Sequence, residues 1–284
     1  MADENIWSVL KEPINNLANP VATTVGQTVA DMWDFIFGGF STFVAKKRHQ
    51  HNKDIEDFKK SLVHDILKIP ENDLQEPPLS ILGPALESSK YYIEDKKVRE
   101  LFAQLIARSM DKRYNGKVHV SFLSTIQQMN ALDVQNISMF SKNDILPIAS
   151  YSRKASNGGH YYLAPLVFLS NPNVTDVSQQ ALSISSLERL GLIKTTFESY
   201  FVNEAHYDIF KKSESYNFLH SIYKDDLVLG RGEVSLTALG KAFIEVCLPS
   251  SPVQSDSTSV SNPQKNHLNN SQLLENTEKL LSSI

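Results

Sequence analysis

The chain has 284 residues, 41% of them hydrophobic and 21% charged, with a net charge of -4 at pH 7. That length leaves room for one large domain or two ordinary ones, with enough apolar residues for a real core. The small negative charge gives no global attraction to nucleic acid or anionic lipid, and the single cysteine, Cys247, excludes an internal disulfide, a four-cysteine zinc site and a CxxC redox pair.

Residues 1–20 read as a loosely ordered lead broken by Pro13 and Pro20, without the basic and apolar regions of a secretory signal. A helical domain is expected over 21–142. Its first helix carries Val25, Val29, Met32, Trp33, Ile36, Phe37, Phe40, Phe43 and Val44 at helical spacing. Asp31 and Asp34 fall near the middle of this stretch, each costing roughly 2.5–3.5 kcal/mol in a bilayer, so it does not read as a membrane span. The basic run "KKRHQHNK" follows, and residues 46–60 hold six Lys and Arg against three Asp and Glu. The aromatic stripe Trp33, Phe37, Phe40 and Phe43 beside Lys46, Lys47 and Arg48 suits a membrane or partner surface; the plainer reading is a core helix followed by a solvated one.

Ile55, Phe58, Leu62, Ile66 and Ile69 form the next stripe, ended by Pro70. After the turn at Pro77 and Pro78, Pro84 fits the first turn of a helix. Asp95 can cap a helix whose core stripe is Val98, Leu101, Phe102, Leu105, Ile106 and Met110. Asn115-Gly116 signals a turn, Ser121 can cap a short helix, and Asn130 with Asp133 has capping-box spacing.

The texture changes after residue 142, and a winged-helix-like module with strands is expected over 143–249. "ILPIASYSRK" and "HYYLAPLVFL" flank "ASNGG" as a strand pair. "VSQQALSISSLERL" reads as a helix ended by Gly191 and followed by a strand, and "LGRGEVS" as a turn before a wing strand. Thr237 caps a last helix closed by Pro249. Residues 250–272 have the composition of a flexible linker, and 273–284 that of a short amphipathic helix. The fold class expected is therefore mainly α, an N-terminal helical domain followed by the winged-helix-like α+β module.

The search for chemistry returns little. GxSxG, HExxH, Walker and GxGxxG motifs are absent, His49 and His51 are badly spaced for a metal, and no cofactor or metal is expected. Arg113 and His119, five residues apart, resemble the arginine–histidine motif of the higher eukaryotic and prokaryotic nucleotide-binding (HEPN) ribonucleases. In those, the histidine would move protons and the arginine would steady phosphate charge. The structural alternative is that the His119 imidazole bonds the backbone where the next helix begins. A winged helix also invites a DNA-binding regulator. Between 177 and 249, however, Lys and Arg number seven and Asp and Glu nine, which offers phosphates little.

The segments "DFIFGGF", "LQEPPLSILGPALESSKYYIEDKKVRELFAQLIARSMDKRYNGKVHVSFLSTIQQMNALDV", "LERLGLI" and "VSLTALGKAFIEVCLP" together resemble the bacterial abortive-infection alpha family, a domain of unknown function grouped with phage-resistance proteins. The family's His-Pro-Ser-Phe pattern has Val120 in place of proline, with His119, Ser121 and Phe122 kept. The resemblance implies phage defence and carries over no catalytic residue. The reading is a cytoplasmic, non-enzymatic bacterial protein, peripheral at the inner membrane if the stripe faces lipid. It would act through a protein partner, self-association or a membrane surface, with nucleic acid not expected as a partner.

Overall fold

A computed structural model of the chain describes residues 20–37 and 48–249. The expected lead, linker and C-terminal helix lie outside the described residues. The described chain divides into two compact units, one built from residues up to 134 together with 242–249, the other from 135–241.

The first unit is helical. Its helices are α1 (Pro20–Phe37), α2 (Arg48–Leu67), α3 (Leu79–Ser89), α4 (Lys96–Ser109) and α5 (Ser121–Gln127), and the chain leaves it within α6 (Ala131–Ser138). Helix α4 starts where the Asp95 carboxylate accepts the backbone N–H groups of Lys97 and Val98, at 3.0 and 3.2 Å. This fills two of the donors that a helix start leaves unpaired. The expected stripe on α4, from Val98 to Met110, is wholly buried. Three polar side chains on this helix are buried as well: the Ser109 hydroxyl donates to the Ile106 carbonyl at 2.7 Å, and Arg99 and Gln104 find partners on α2. The Arg99 guanidinium donates to Asp54 at 2.8 Å and to the Ile93 carbonyl at 2.7 Å. Gln104 donates to Asp65 at 2.5 Å. Such pairing is what makes burial of these groups tolerable. Pro84 lies inside α3 rather than at its start, because Pro78 already forms the N-cap and its carbonyl accepts from Ile81 and Leu82.

The second unit corrects the expected fold class. It holds a four-stranded antiparallel sheet in the order β2-β1-β4-β3, from β1 (Ile145–Lys154), β2 (His160–Val167), β3 (Ile193–Thr196) and β4 (Leu227–Leu236). The protein is mixed α+β, not mainly α with a winged-helix-like module. The expected order of helix, strand, strand and helix does occur, as α7 (Val177–Arg189), β3, β4 and α10 (Ala238–Cys247). Between β3 and β4, however, lie α8 (Asp208–Lys211) and α9 (Glu214–Tyr223), and the far edge of β4 pairs along its length with β1. "LGRG" is part of β4, not a turn. Gly230 and Gly232 are there for close approach: a Cβ would stand 2.3 Å from the Ser150 hydroxyl at the first and 2.5 Å from the Thr196 carbonyl at the second.

Several caps match their sequence signals. Asn130 accepts from the N–H groups of Leu132 and Asp133, while Asp133 accepts from that of Asn130, a reciprocal capping box. Gly191 ends α7 with φ at 74°, and the N–H of Gly191 and Leu192 reach back to the carbonyls of Glu188 and Leu187. The Thr237 hydroxyl caps α10 through the Gly240 N–H at 2.9 Å. Under α7, a buried amide cluster closes on itself. Asn171 donates to Asn136, and Asn136 donates to Gln180 and Ser183, all within 3.0 Å.

The tightest glycine tests this packing. A Cβ at Gly240 would lie 1.9 Å from the Leu192 carbonyl oxygen, which already accepts the Thr237 N–H. The obstructing atoms are Leu192 backbone, with the Leu236 side chain 3.1 Å away, so no side-chain rotation relieves the clash. Gly240→Ala is expected to destabilise by about 2–3 kcal/mol in urea or thermal unfolding. An unchanged midpoint would contradict the placement of α10 against the β3 entry.

Candidate functional site

The densest polar cluster of the first unit is built around Asp111, just beyond α4. Its backbone bridges to Leu74, and the neighbouring Gln75 N–H donates to the Met110 carbonyl at 2.9 Å. The Asp111 side chain is fully buried. Its carboxylate accepts from the Arg113 backbone N–H at 3.0 Å and takes both ends of the Arg113 guanidinium, at 2.9 and 2.7 Å. Burial by itself pushes this carboxyl up, but the hydrogen bonds and charge of Arg113, with Arg108 behind it, outweigh that and hold it below the usual carboxylate range. Arg108 layers on the Tyr114 ring at 4.4 Å. Gln75 and Asn115 exchange amide hydrogen bonds of 2.7 and 3.1 Å, and Lys117 pairs with Glu245 at 2.5 Å.

The two sequence-derived catalytic candidates are thereby placed. The Arg113 guanidinium is occupied by Asp111, with Asp73 at 3.8 Å as a second anion. His119 is engaged elsewhere. Its Nδ1 accepts from the Ser121 backbone N–H at 3.1 Å and stands 2.6 Å from the Ser121 hydroxyl. The imidazole thus bonds the backbone at the start of α5, the structural alternative read from the sequence. No hydrogen bond joins Arg113 to His119; their hydrogen-bond partners are Asp111 and Ser121 respectively. An arginine already neutralised by a buried carboxylate has little field left for a phosphate.

The aromatic stripe is split. Trp33 and Phe37 are buried in the first unit, their rings 4.3 Å apart and packed on Phe58 of α2 at 5.5 and 6.3 Å. Side chains spent this way cannot also form a surface. Arg48 opens α2, while Phe40, Phe43, Lys46 and Lys47 lie outside the described residues. Among the described residues no helix is long and apolar enough to cross a membrane, and no group of three or more His, Cys, Asp or Glu is placed to hold a metal.

What the sequence reading missed is Asp111 and the end of the β1–β2 hairpin. Asp111 sits in a polar run whose composition signals only a turn. At the hairpin end, Arg153 is exposed beside Tyr161 and Tyr223, ring centres 4.6 and 6.0 Å from the guanidinium carbon.

The Asp111 arrangement has a pH signature with a definite sign. A carboxyl held below its unfolded value of about 3.9 contributes stability that is complete above that pH and is lost as pH falls through the folded value. Arg113→Met removes the depressing partner and leaves burial, which favours the protonated form. We expect a loss of about 2–4 kcal/mol at pH 7, below that of a fully buried pair because Arg113 is half in water. The loss shrinks toward pH 3 and is partly recovered in Arg113→Met/Asp111→Asn. Urea melts at pH 3, 5 and 7 measure it, and a pH-independent loss would refute the charge argument.

No curated protein matches the chain. Among solved structures it is similar to an uncharacterized protein from the hydrocarbon-degrading marine bacterium Alcanivorax borkumensis SK2, at 12% identity, covering 48% of this chain and 94% of that one with a TM-score of 0.29. At that TM-score the likeness carries no argument. The family described as abortive infection alpha matches residues 50–247, which take in α2 from its first turn, the Asp111 cluster, the whole sheet and α10. With most of its length matched, the chain belongs to the abortive infection alpha family.

Proposed function

We propose that the protein serves abortive infection, the bacterial response to phage, without catalysing a reaction, through contact of its surface with another protein or a second copy of itself. One observation carries this reading: among the described residues, the polar constellations that could do chemistry are largely closed on themselves. Asp111 holds Arg113, Asp54 holds Arg99, Asn136, Asn171 and Gln180 hold one another, and the His119 Nδ1 is spent on the start of α5. A catalytic group needs an unspent proton or charge aimed at a substrate. The polar contacts here saturate neighbouring backbone and side chains instead.

The membrane form of the reading has less support, since Trp33 and Phe37 are packed inside the first unit. The DNA-binding regulator rested on a winged-helix-like module, which the four-stranded sheet replaces. The ribonuclease alternative needs Arg113 and His119 to act as a pair, and their hydrogen bonds lead apart.

A phage-challenge assay of bacteria expressing the protein, run beside an RNA-cleavage assay of the purified chain, tests the proposal. His119→Ala removes one exposed hydrogen bond to the Ser121 backbone, worth about 0.5–1 kcal/mol. It is expected to protect as well as the parent, and neither protein should cleave RNA. Cleavage by the parent that disappears in His119→Ala, together with lost protection, would establish the ribonuclease instead.

A further inference from the structure

We infer that the end of the β1–β2 hairpin is a binding surface for single-stranded nucleic acid. This goes beyond the contact reading above and does not depend on it.

The evidence is a convergence of aromatic and basic side chains. From Ser152 to Tyr162 the chain carries Arg153, Lys154, His160, Tyr161 and Tyr162, and not one acidic residue. The register sets Arg153 opposite Tyr161 on one face of the hairpin, and Lys154 opposite His160, with Tyr162, on the other. Burial along β1 stops abruptly at this point: Tyr151 and Ser152 are buried, Arg153 and Lys154 exposed. On the outer strand β2, Tyr161 and Tyr162 are 54% and 69% exposed, one on each face of the hairpin. From the other side of the sequence α9 delivers Tyr223 to within 6.0 Å of Arg153. The next residue, Lys224, is the one non-glycine among the described residues with a positive φ, 46°. Strain held at one position is a mark of local function when a surface is built beside it.

On the Arg153 face, a guanidinium beside the Tyr161 and Tyr223 rings, with Lys224 next in the chain, makes a platform on which bare bases stack while the cations meet phosphates. A duplex hides its base faces, so this surface selects single strands. The charge count from 177 to 249 argued against nucleic acid, but Arg153 and Lys154 lie outside that stretch and come to Tyr223 only through β1–β4 pairing. Asp225 and Asp226 stand at the same end, with the Lys154 ammonium bonded to the Asp225 carbonyl at 3.4 Å. The positive excess is therefore small, and stacking has to supply most of the affinity.

That balance sets the test. The full chain is titrated into fluorescein-labelled oligo-U, about 20 nucleotides long, and into a duplex of equal length, with anisotropy read from 50 to 200 mM NaCl. Single strands should bind at least tenfold tighter than duplex. About three phosphate contacts, from Arg153, Lys154 and Lys224, predict a slope of log affinity on log salt near -2. Tyr161→Ala, an exposed ring on the Arg153 face whose loss leaves the core intact, should weaken binding by about 5- to 100-fold. Lys154→Glu should weaken it and flatten the salt slope. The inference is overturned by no binding at 50 mM NaCl, by equal binding of duplex, or by a Tyr161→Ala protein that binds like the parent. If the oligonucleotide fails to bind yet Tyr161→Ala abolishes phage protection, the surface belongs to a protein partner. If binding holds while His119→Ala abolishes RNA cleavage, the non-enzymatic reading falls and this one stands.

Discussion

Strand β1 has to be covered on both faces, and the second unit is arranged around that requirement. Leu146, Ile148, Ala149, Ser150, Tyr151 and Ser152 are all buried. A strand of this kind needs two neighbours in the sheet and a layer on each side. It gains β2 through a tight hairpin and β4 through a pairing that joins Ile145 to Ser235 and Arg153 to Leu227. Tyr207 and Phe210 pack against Ala149 and Tyr151. The Tyr151 hydroxyl, buried with them, bonds the Phe210 carbonyl at 3.0 Å and the Ser213 hydroxyl at 3.1 Å, and burial pushes its pKa up to about 12. Segment 197–226 is thus the cover that β1 demands. Where the cover ends, at Arg153, the basic and aromatic surface begins.

The first unit answers a different constraint: charges taken out of water. Arg99 and Asp54 are both nearly buried, and such a pair contributes little net stability while being costly to break. Asp111 with Arg113 repeats the pattern at the edge of the unit, where it ties the loop after α4 to the strand-like segment at Leu74 and Gln75. These bonds fix how segments meet. Arg113, which looks free in a linear reading, is held by the buried Asp111 carboxylate in the folded protein.

Legibility followed the range of the interaction. Asp95, Asn130 with Asp133, Gly191 and Thr237 were readable because each cap acts within a few residues. The stripe on α4 was readable because a helix repeats its own period. "LGRG" was misread as a turn because its glycines answer to Ser150 and Thr196, neighbours far away in sequence. Segment 197–226 gave no clear signal, since α8 is four residues long and α9 has no buried residue. Of the sites, the bond from His119 to the start of α5 was foreseeable, although Ser121 is the first helical residue there and not the expected cap. Asp111 was not, because nothing in "SMDKRYNGK" tells that its aspartate points inward.

The sequence by itself determined the α-helices of the first unit, the hairpin strands, the caps and the absence of familiar catalytic motifs, all of them matters of local spacing and residue type. Only the tertiary structure decided that the protein is α+β, since β4 becomes a central strand by pairing with residues some eighty positions earlier. It also decided that Trp33 and Phe37 lie inside, that Arg113 is spent on a buried carboxylate, and that Arg153, Tyr161 and Tyr223 share one surface. The physical reason is common to all four. Burial and charge pairing depend on what lies across space from a side chain, and the linear order of residues records only what lies beside it.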